Sequence, residues 1–491
     1  METIITKSQV ADAVGAAIPQ LACVLPHDIA AGLSAARACE SDPRGAFALG
    51  QLVENARIAA ADRVPICQDT GTVWVCLEVG PDVCLPGDVF ADVDAAVARA
   101  YGKARLRKSV VRDALFDRAN TGDNTPAFCE VRFADEPGTA RVHVMLKGGG
   151  SDNASRVVML PPGAGRAGVV DEVVRCVREK GANACPPLVV GVGVGATFDK
   201  VAGLAKRALM RPADEPAADP QLRAFEEELL DAVNATGVGP NGLGGAATAL
   251  AVRVATAPCH IAALPVAINM GCSAMRRVTI DLAGRYPDQD AAFGCHPDRA
   301  ERAEGSRAAS AESAPEPVRL SLPLDRVRLG NLKAGDACLL TGPLFTLRDA
   351  GHVRLLAELE EAGGQLPYGL DGQAIFYAGP TPEAAGRPFG AIGPTTASRM
   401  DFAAPTLYRA GIAATIGKGR RSQEVREACM QTGSVYFVAC GGAAAFLAKC
   451  VESSETLGYD DLGTEALRRI DVVDFPVFVG IDAQGRDIYE R

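Results

Sequence analysis

GRYPDQDAAFGCHPDRAERAEGSRAASAESAPEPVR, residues 284–319, decides how the rest of the chain is read. It is rich in Ala, Glu, Arg, Ser and Pro and poor in large apolar side chains. Such a segment cannot bury enough surface to offset the entropy of ordering it. It reads as a linker, residues 286–318, between an N-terminal domain of residues 1–285 and a C-terminal domain of residues 319–491. Its Cys295–His296 pair is only a compositional hint of metal binding in such a tract. The length of 491 residues agrees, because a chain of that size divides its core among two or more domains.

Working outward, the first 62 residues are Ala-rich and predict helices broken at Pro26 and Pro43. Residues 91–118 predict a helix running out into an extended basic segment. FCEVRF (128–133) and ARVHVMLK (140–147) alternate as strands around a loop at Glu136–Gly138. Helices are expected over 169–181 and 219–235, and VTIDL (278–282) reads as the last strand of this half. Beyond the linker, SLPLDRVRLG (321–330) resumes strand alternation. Strands and helices then alternate to FPVFVGIDAQGRDIY (475–489), read as a terminal hairpin. The fold class is mixed α/β (α+β) in two domains, the N-terminal one larger.

A formal charge of −10 gives no general attraction for nucleic acid or an anionic membrane. No apolar run reaches about 18 residues, so no membrane span is expected. METIITKSQVADAV lacks the basic-then-apolar order of a secretory signal, and a cytoplasmic setting is expected. In such a setting the fifteen cysteines remain thiols, and none forms a C-x-x-C pair.

Three glycine clusters, KGGGSDN (147–153), GVGVGATFD (191–199) and GPNGLGGAATA (239–249), could each cradle an anion or serve simply as tight turns. GVGVGA departs from the dinucleotide fingerprint at Ala196, and GPNGLGG lacks the Lys-Ser/Thr of a P-loop. Arg107, Arg348, Arg399 and Lys418 stand in polar loop contexts suited to a dicarboxylate. Three cysteines lie in glycine- or proline-marked contexts: CQDTG at Cys67, NACPP at Cys185 and NMGCSAMR at Cys272. Cys67 reads as a nucleophile paired with His260, as a metal ligand, or as a small core residue. Three isolated thiolates suit an iron–sulfur cluster with one iron free of protein ligands better than they suit zinc.

These motifs, with LRKSVVRDALFDRANTGDNTP, HIAALPVAINMGCSAMR, LTGPLFTLRDAGH, PYGLDGQAIFYAGP, GPTTASRMD, IGKG and ACGGAAA, resemble the class I fumarases and the related iron–sulfur tartrate dehydratases. The resemblance covers nearly the whole chain and is that of alpha- and beta-type regions fused. It implies a cluster-binding N-terminal α+β domain and a C-terminal swivelling β/β/α-type domain. It implies a [4Fe–4S] cluster on Cys67, Cys185 and Cys272, with Cys259 the rival third ligand. Gln68, Asp69, Arg107, Gly150, Arg348, Thr395, Arg399 and Lys418 match substrate-binding positions, and Thr395, Asp69 and His260 match catalytic ones.

The implied activity is hydration of fumarate to (S)-malate. Tartrate or a mesaconate-type acid is the rival substrate, and a non-enzymatic iron–sulfur sensor the rival class. A homodimer is implied, with no nucleic-acid or membrane partner. Such chemistry needs a Lewis acid for a poor leaving group, cations for the charge that builds on a carboxylate, and a base. Thr395 with Asp69 as its helper is the expected proton relay, in a cleft between the two domains.

Overall fold

The Ala-rich opening folds as three helices, Lys7–Cys23, His27–Cys39 and Pro43–Asp62, in a computed structural model that describes residues 3–283, 316–384 and 386–490. Each start has a local cause. Thr6 and Gln9 form a reciprocal capping box, and Asp42 accepts from Arg44 and Gly45 N–H with Pro43 at the first helical position. The stretch Lys7–Cys39 is long and apolar enough to cross a membrane by composition. It is instead interrupted at Pro26, and Val10, Val14, Ile18 and Leu21 pack into a core with Val73, Val75, Val97 and Val144.

Two four-stranded sheets are built from residues 72–281. In the first, Thr72–Val79 pairs antiparallel with Ala140–Lys147 and parallel with Phe128–Phe133, and Arg277–Asp281 adds beyond Ala140–Lys147. The alternation of FCEVRF does not mark a buried face: Phe128 and Phe133 are both exposed on an edge strand. In the second, Leu188–Ala196 lies between Ala249–Cys259 and Leu264–Gly271, with Arg156–Leu160 at the edge. The helices Gly165–Lys180 and Pro220–Asn234 fall where the sequence predicts them.

From residue 318 onward the strands form one seven-stranded sheet. Ala337–Thr346, Ala374–Phe376, Ala414–Gly417 and Val435–Val438 run parallel, and the long strand Leu467–Ile481 pairs antiparallel with both the first and the last of them. The pairing therefore closes into a ring with no free edge among those five strands.

Two expectations fail here. Of SLPLDRVRLG only Ser321 is in a strand, as the last residue of Val318–Ser321, after which the Asp325 carboxylate accepts from Val327 N–H and caps the helix Arg326–Asn331. The terminal hairpin reduces to a single bridge, Ile481 to Asp487, because a turn around Asp482 uses up the returning residues.

The two halves share one hydrophobic core. Leu49, Leu52 and Ile66 belong to the same buried cluster as Cys440, Ala443 and Phe478, and the Phe47 and Phe478 rings meet edge to face at 5.4 Å. Asn55, fully buried, joins them by polar contacts. Its amide donates to Ile66 O (2.9 Å) and Gly442 O (2.8 Å), and its carbonyl accepts from Ala445 N–H (2.8 Å) and Phe446 N–H (3.0 Å).

Candidate active site

Three loops of the N-terminal half deliver cysteines to one place. The helix Pro43–Asp62 ends at Arg63 in the left-handed region, and the chain returns past Ile66, held by Asn55, to Cys67. Four residues on, Gly71 (φ 82°) admits no side chain, since a Cβ there would lie 2.8 Å from the Lys147 backbone. Cys185 has φ 57° and ends the short turn Gly181–Ala184, while Cys272 directly follows the strand Leu264–Gly271. The Ser273 N–H donates to Cys185 O at 3.0 Å and ties these two segments together. Cys67, Cys185 and Cys272 line a single cavity of about 150 Å³, and all three are free thiols.

The opposite wall comes from the C-terminal ends of the parallel strands. Ala337–Thr346 leads into Arg348, Ala414–Gly417 into Lys418, and Val435–Val438 into Gly441 and Gly442. Tyr377, just past Phe376, accepts from Thr395 N–H (2.7 Å), and Thr395 O accepts from Lys418 N–H (3.1 Å). Thr395 is thus fixed by its backbone, and it lines the cavity together with Gln68 and Asp69. Lys418 Nζ donates to Cys185 Sγ at 2.7 Å and to Asn183 O at 3.3 Å. Gly441 makes room for this pair: a Cβ there would lie 2.3 Å from Cys185 Sγ.

The cavity is strongly cationic. Arg107, Arg276, Arg348, Arg399 and Lys418 line it against one carboxylate, Asp69. This local excess reverses the negative balance of the whole chain and suits a small anion. Burial pushes the Asp69 pKa up, but Arg107, Arg276, Lys418 and the Gly149 N–H outweigh it and hold the carboxyl below its ordinary range. Asp69 Oδ2 accepts from Gly149 N–H (2.9 Å) and Oδ1 from Gly71 N–H (3.2 Å), with Arg107 at 3.5 Å. No hydrogen bond joins Asp69 to Thr395, although both border the cavity. Arg348 and Arg399 are spaced by Asp349, which accepts from both at 3.1 and 2.8 Å. Burial pushes the Cys67 thiol up to about 11, with Arg276 the main opposing influence.

With this geometry in view, similarity to known proteins becomes informative. Residues 11–281 match the family model described as Fumarate hydratase (Fumerase), and residues 295–491 match that of the Fumarase C-terminus. The chain belongs to the class I fumarate hydratase family. Among relatives of this family, the Fumarate hydratase class I, anaerobic, of Escherichia coli strain K12 is 32% identical over 94% of this chain and 85% of that protein. Fumarate hydratase 1, mitochondrial, of Leishmania major is 31% identical over 92% of this chain and 84% of that protein. A Putative L(+)-tartrate dehydratase subunit alpha of Methanocaldococcus jannaschii is 35% identical over 55% of this chain and 96% of that subunit.

The family motifs converge unevenly. Gln68, Asp69, Arg107, Gly150, Arg348, Thr395, Arg399 and Lys418 all border the cavity with the three cysteines. His260 does not join them. It stands exposed on the turn between Ala249–Cys259 and Leu264–Gly271, where its Nδ1 accepts from Ala262 N–H at 3.1 Å. Cys259, the rival ligand, is exposed on the same turn, and Cys295–His296 lies outside the described residues.

Of the glycine clusters, only KGGGSDN reaches the site, through Gly148, Gly149 and Gly150. GVGVGA is instead a strand on which the helix Phe198–Ala208 lies close: a Cβ on Gly191 would meet Ala205 O at 2.3 Å. GPNGLGG is a turn away from the cavity.

Three residues that line the cavity or support its lining residues and loops carried no clear sequence signal. Asn55 sits in an ordinary amphipathic helix, and Asp349 is masked by its neighbour Arg348. Arg276, inside the quoted CSAMR, looks like a surface arginine yet is only 1% exposed.

Proposed function

We propose that this chain is a hydro-lyase that interconverts fumarate and (S)-malate with a [4Fe–4S] cluster held by Cys67, Cys185 and Cys272. The observation that carries the reading is the meeting of these three thiols with Arg107, Arg348, Arg399 and Lys418 around one small cavity. The donor set fits the cluster. Cysteine thiolates are the ligands that hold such clusters, and three free thiols border this cavity. Arg276 also brings two buried, unpartnered nitrogens to the same wall. When bound, the cluster supplies an iron without a protein ligand, a Lewis acid for an oxygen of the substrate.

The rest falls to this chain's own side chains. Arginine forks pair two-pronged with carboxylates, so Arg348 and Arg399 hold one end of the acid, with Asp349 keeping both guanidinium groups in place. Removing the proton next to a carboxylate builds charge on that carboxylate, and Arg107 and Lys418 stabilise it from fixed positions. Thr395 takes the proton, and Asp69, kept ionised by its cationic neighbours, is its acceptor. These two side chains share no hydrogen bond, so passage of the proton between them requires a bridging water molecule. Residues 1–285 and 319–491 act as the two domains, and a cytoplasmic homodimer belongs to the same reading.

The test is anaerobic reconstitution followed by assays on fumarate, (S)-malate and both tartrates. Fumarate hydration at the highest kcat/KM is expected. Absence of the broad visible absorbance of a cluster after reconstitution overturns the reading. The match to the Methanocaldococcus tartrate dehydratase subunit favours one second reading, L(+)-tartrate dehydration at the same site.

A further inference from the structure

Arg276 and Arg277 are adjacent, and both are buried, yet they are treated in opposite ways. Arg277 is satisfied: Nη2 meets the Asp28 carboxylate at 2.6 Å and Nε donates to Leu209 O at 2.6 Å. Arg276 has one bond, from Nη2 to the backbone carbonyl of Asp69 at 2.8 Å. Its Nε and Nη1 are buried without any partner, and among the described residues it forms no ion pair with a carboxylate. An arginine does not escape this situation by losing its proton. A buried guanidinium with two open donors needs an anionic acceptor, and Arg276 lines the cavity that also holds Cys67, Cys185 and Cys272.

Two acceptors fit there, the substrate carboxylate and the sulfur atoms of the cluster. The exposures separate them. The side chains of Arg107, Arg348 and Arg399 are 11, 13 and 48% exposed, whereas Arg276 is 1% exposed. Arg276 is sealed behind the CQDTG loop, bonded to the residue two beyond Cys67.

We propose that Arg276 is a positioning residue for the cluster: its Nε and Nη1 donate to cluster or cysteinyl sulfur, and its charge offsets that of the thiolates. The inference rests on the cofactor reading above. Hydrogen bonds and positive charge at sulfur stabilise the reduced state, so they raise the cluster's reduction potential. Loss of Arg276 therefore lowers that potential and loosens the cluster, with little change in KM for fumarate.

The experiment compares wild type, R276Q and R276K after anaerobic reconstitution. Iron and sulfide content, the EPR-monitored reduction potential and KM are measured. Wild type is expected to hold a full cluster. R276Q is expected either to lose the cluster from a folded chain or to keep it with the redox equilibrium moved at least tenfold toward the oxidised state, 59 mV for one electron. R276K, which keeps the charge, is expected to retain the cluster.

An R276Q with wild-type cluster content and potential overturns the inference, and so does one whose only change is a tenfold rise in KM, which would make Arg276 a substrate ligand. A wild-type chain that takes up no cluster overturns the cofactor reading along with it. Should R276Q not fold by circular dichroism, protein labelled with 15N-arginine carries the test. A nitrogen coupling to the reduced cluster, seen by pulsed EPR in wild type and lost in R276K, supports the inference. The same coupling in both overturns it.

Discussion

Lys418 reaches across the junction of the two halves to place Nζ 2.7 Å from Cys185 Sγ, 233 residues away in sequence. The contact makes each half incomplete without the other. Burial, the largest single influence, would lower the Lys418 pKa, but the sulfurs of Cys185, Cys67 and Cys272 together outweigh it and raise it, so the group stays an ammonium. Lys418→Met should lower kcat about 100-fold or more, the usual cost of removing one fixed donor at developing charge. Steady-state assays on reconstituted protein of known iron content check this.

Thr395→Ala should cost about 10²- to 10⁴-fold in kcat if its hydroxyl handles the proton, with the visible spectrum of the cluster unchanged. Thr395→Ser should recover part of the loss. Near wild-type turnover in the alanine variant, with the cluster intact, would remove Thr395 from the relay.

Asn55 uses every donor and acceptor of its amide on backbone groups of two loops, one leading to Cys67 and one containing Gly442. Asn55→Ala leaves buried carbonyls and N–H groups without partners. The expected loss is about 2–4 kcal/mol of stability, read from the midpoint of urea unfolding of the apo-chain.

His352 is fully buried with neither ring nitrogen hydrogen-bonded, and its ring meets Tyr377 edge on. Burial holds its pKa near 4 against an ordinary 6.5, with Asp349 and Arg421 the charged groups acting on it. Between those values the unfolded chain binds a proton that the folded chain refuses. Stability contributed by the neutral ring is therefore full above pH 6.5 and declines as pH falls toward 4, by about 3 kcal/mol in all. His352→Leu should flatten that slope in urea unfolding measured across the same pH range.

What was legible in the sequence follows from how local each signal is. The three opening helices were readable because capping residues and prolines act within one turn. The cysteines and cations of the cavity were readable as motifs, though not from their spacing: Cys67, Cys185 and Cys272 converge only through sheet pairing. SLPLDRVRLG misled because period-2 alternation in so short a run yields to a single capping carboxylate at Asp325. GVGVGA misled because glycine serves close helix–strand packing as readily as anion binding. Arg276 was invisible because nothing local distinguishes a buried, half-satisfied arginine from a solvated one.

The closed ring of strands has an evolutionary consequence. Arg348, Lys418 and the Gly441–Gly442 pair each hang from the end of a different strand, and Thr395 is anchored to the residue following another. One connection can change in length or composition while the pairing beneath it stays intact. The thiols belong to the other half of the chain, outside the reach of such edits. The cationic wall is thus open to piecemeal revision, one connection at a time, while the ring that carries it persists.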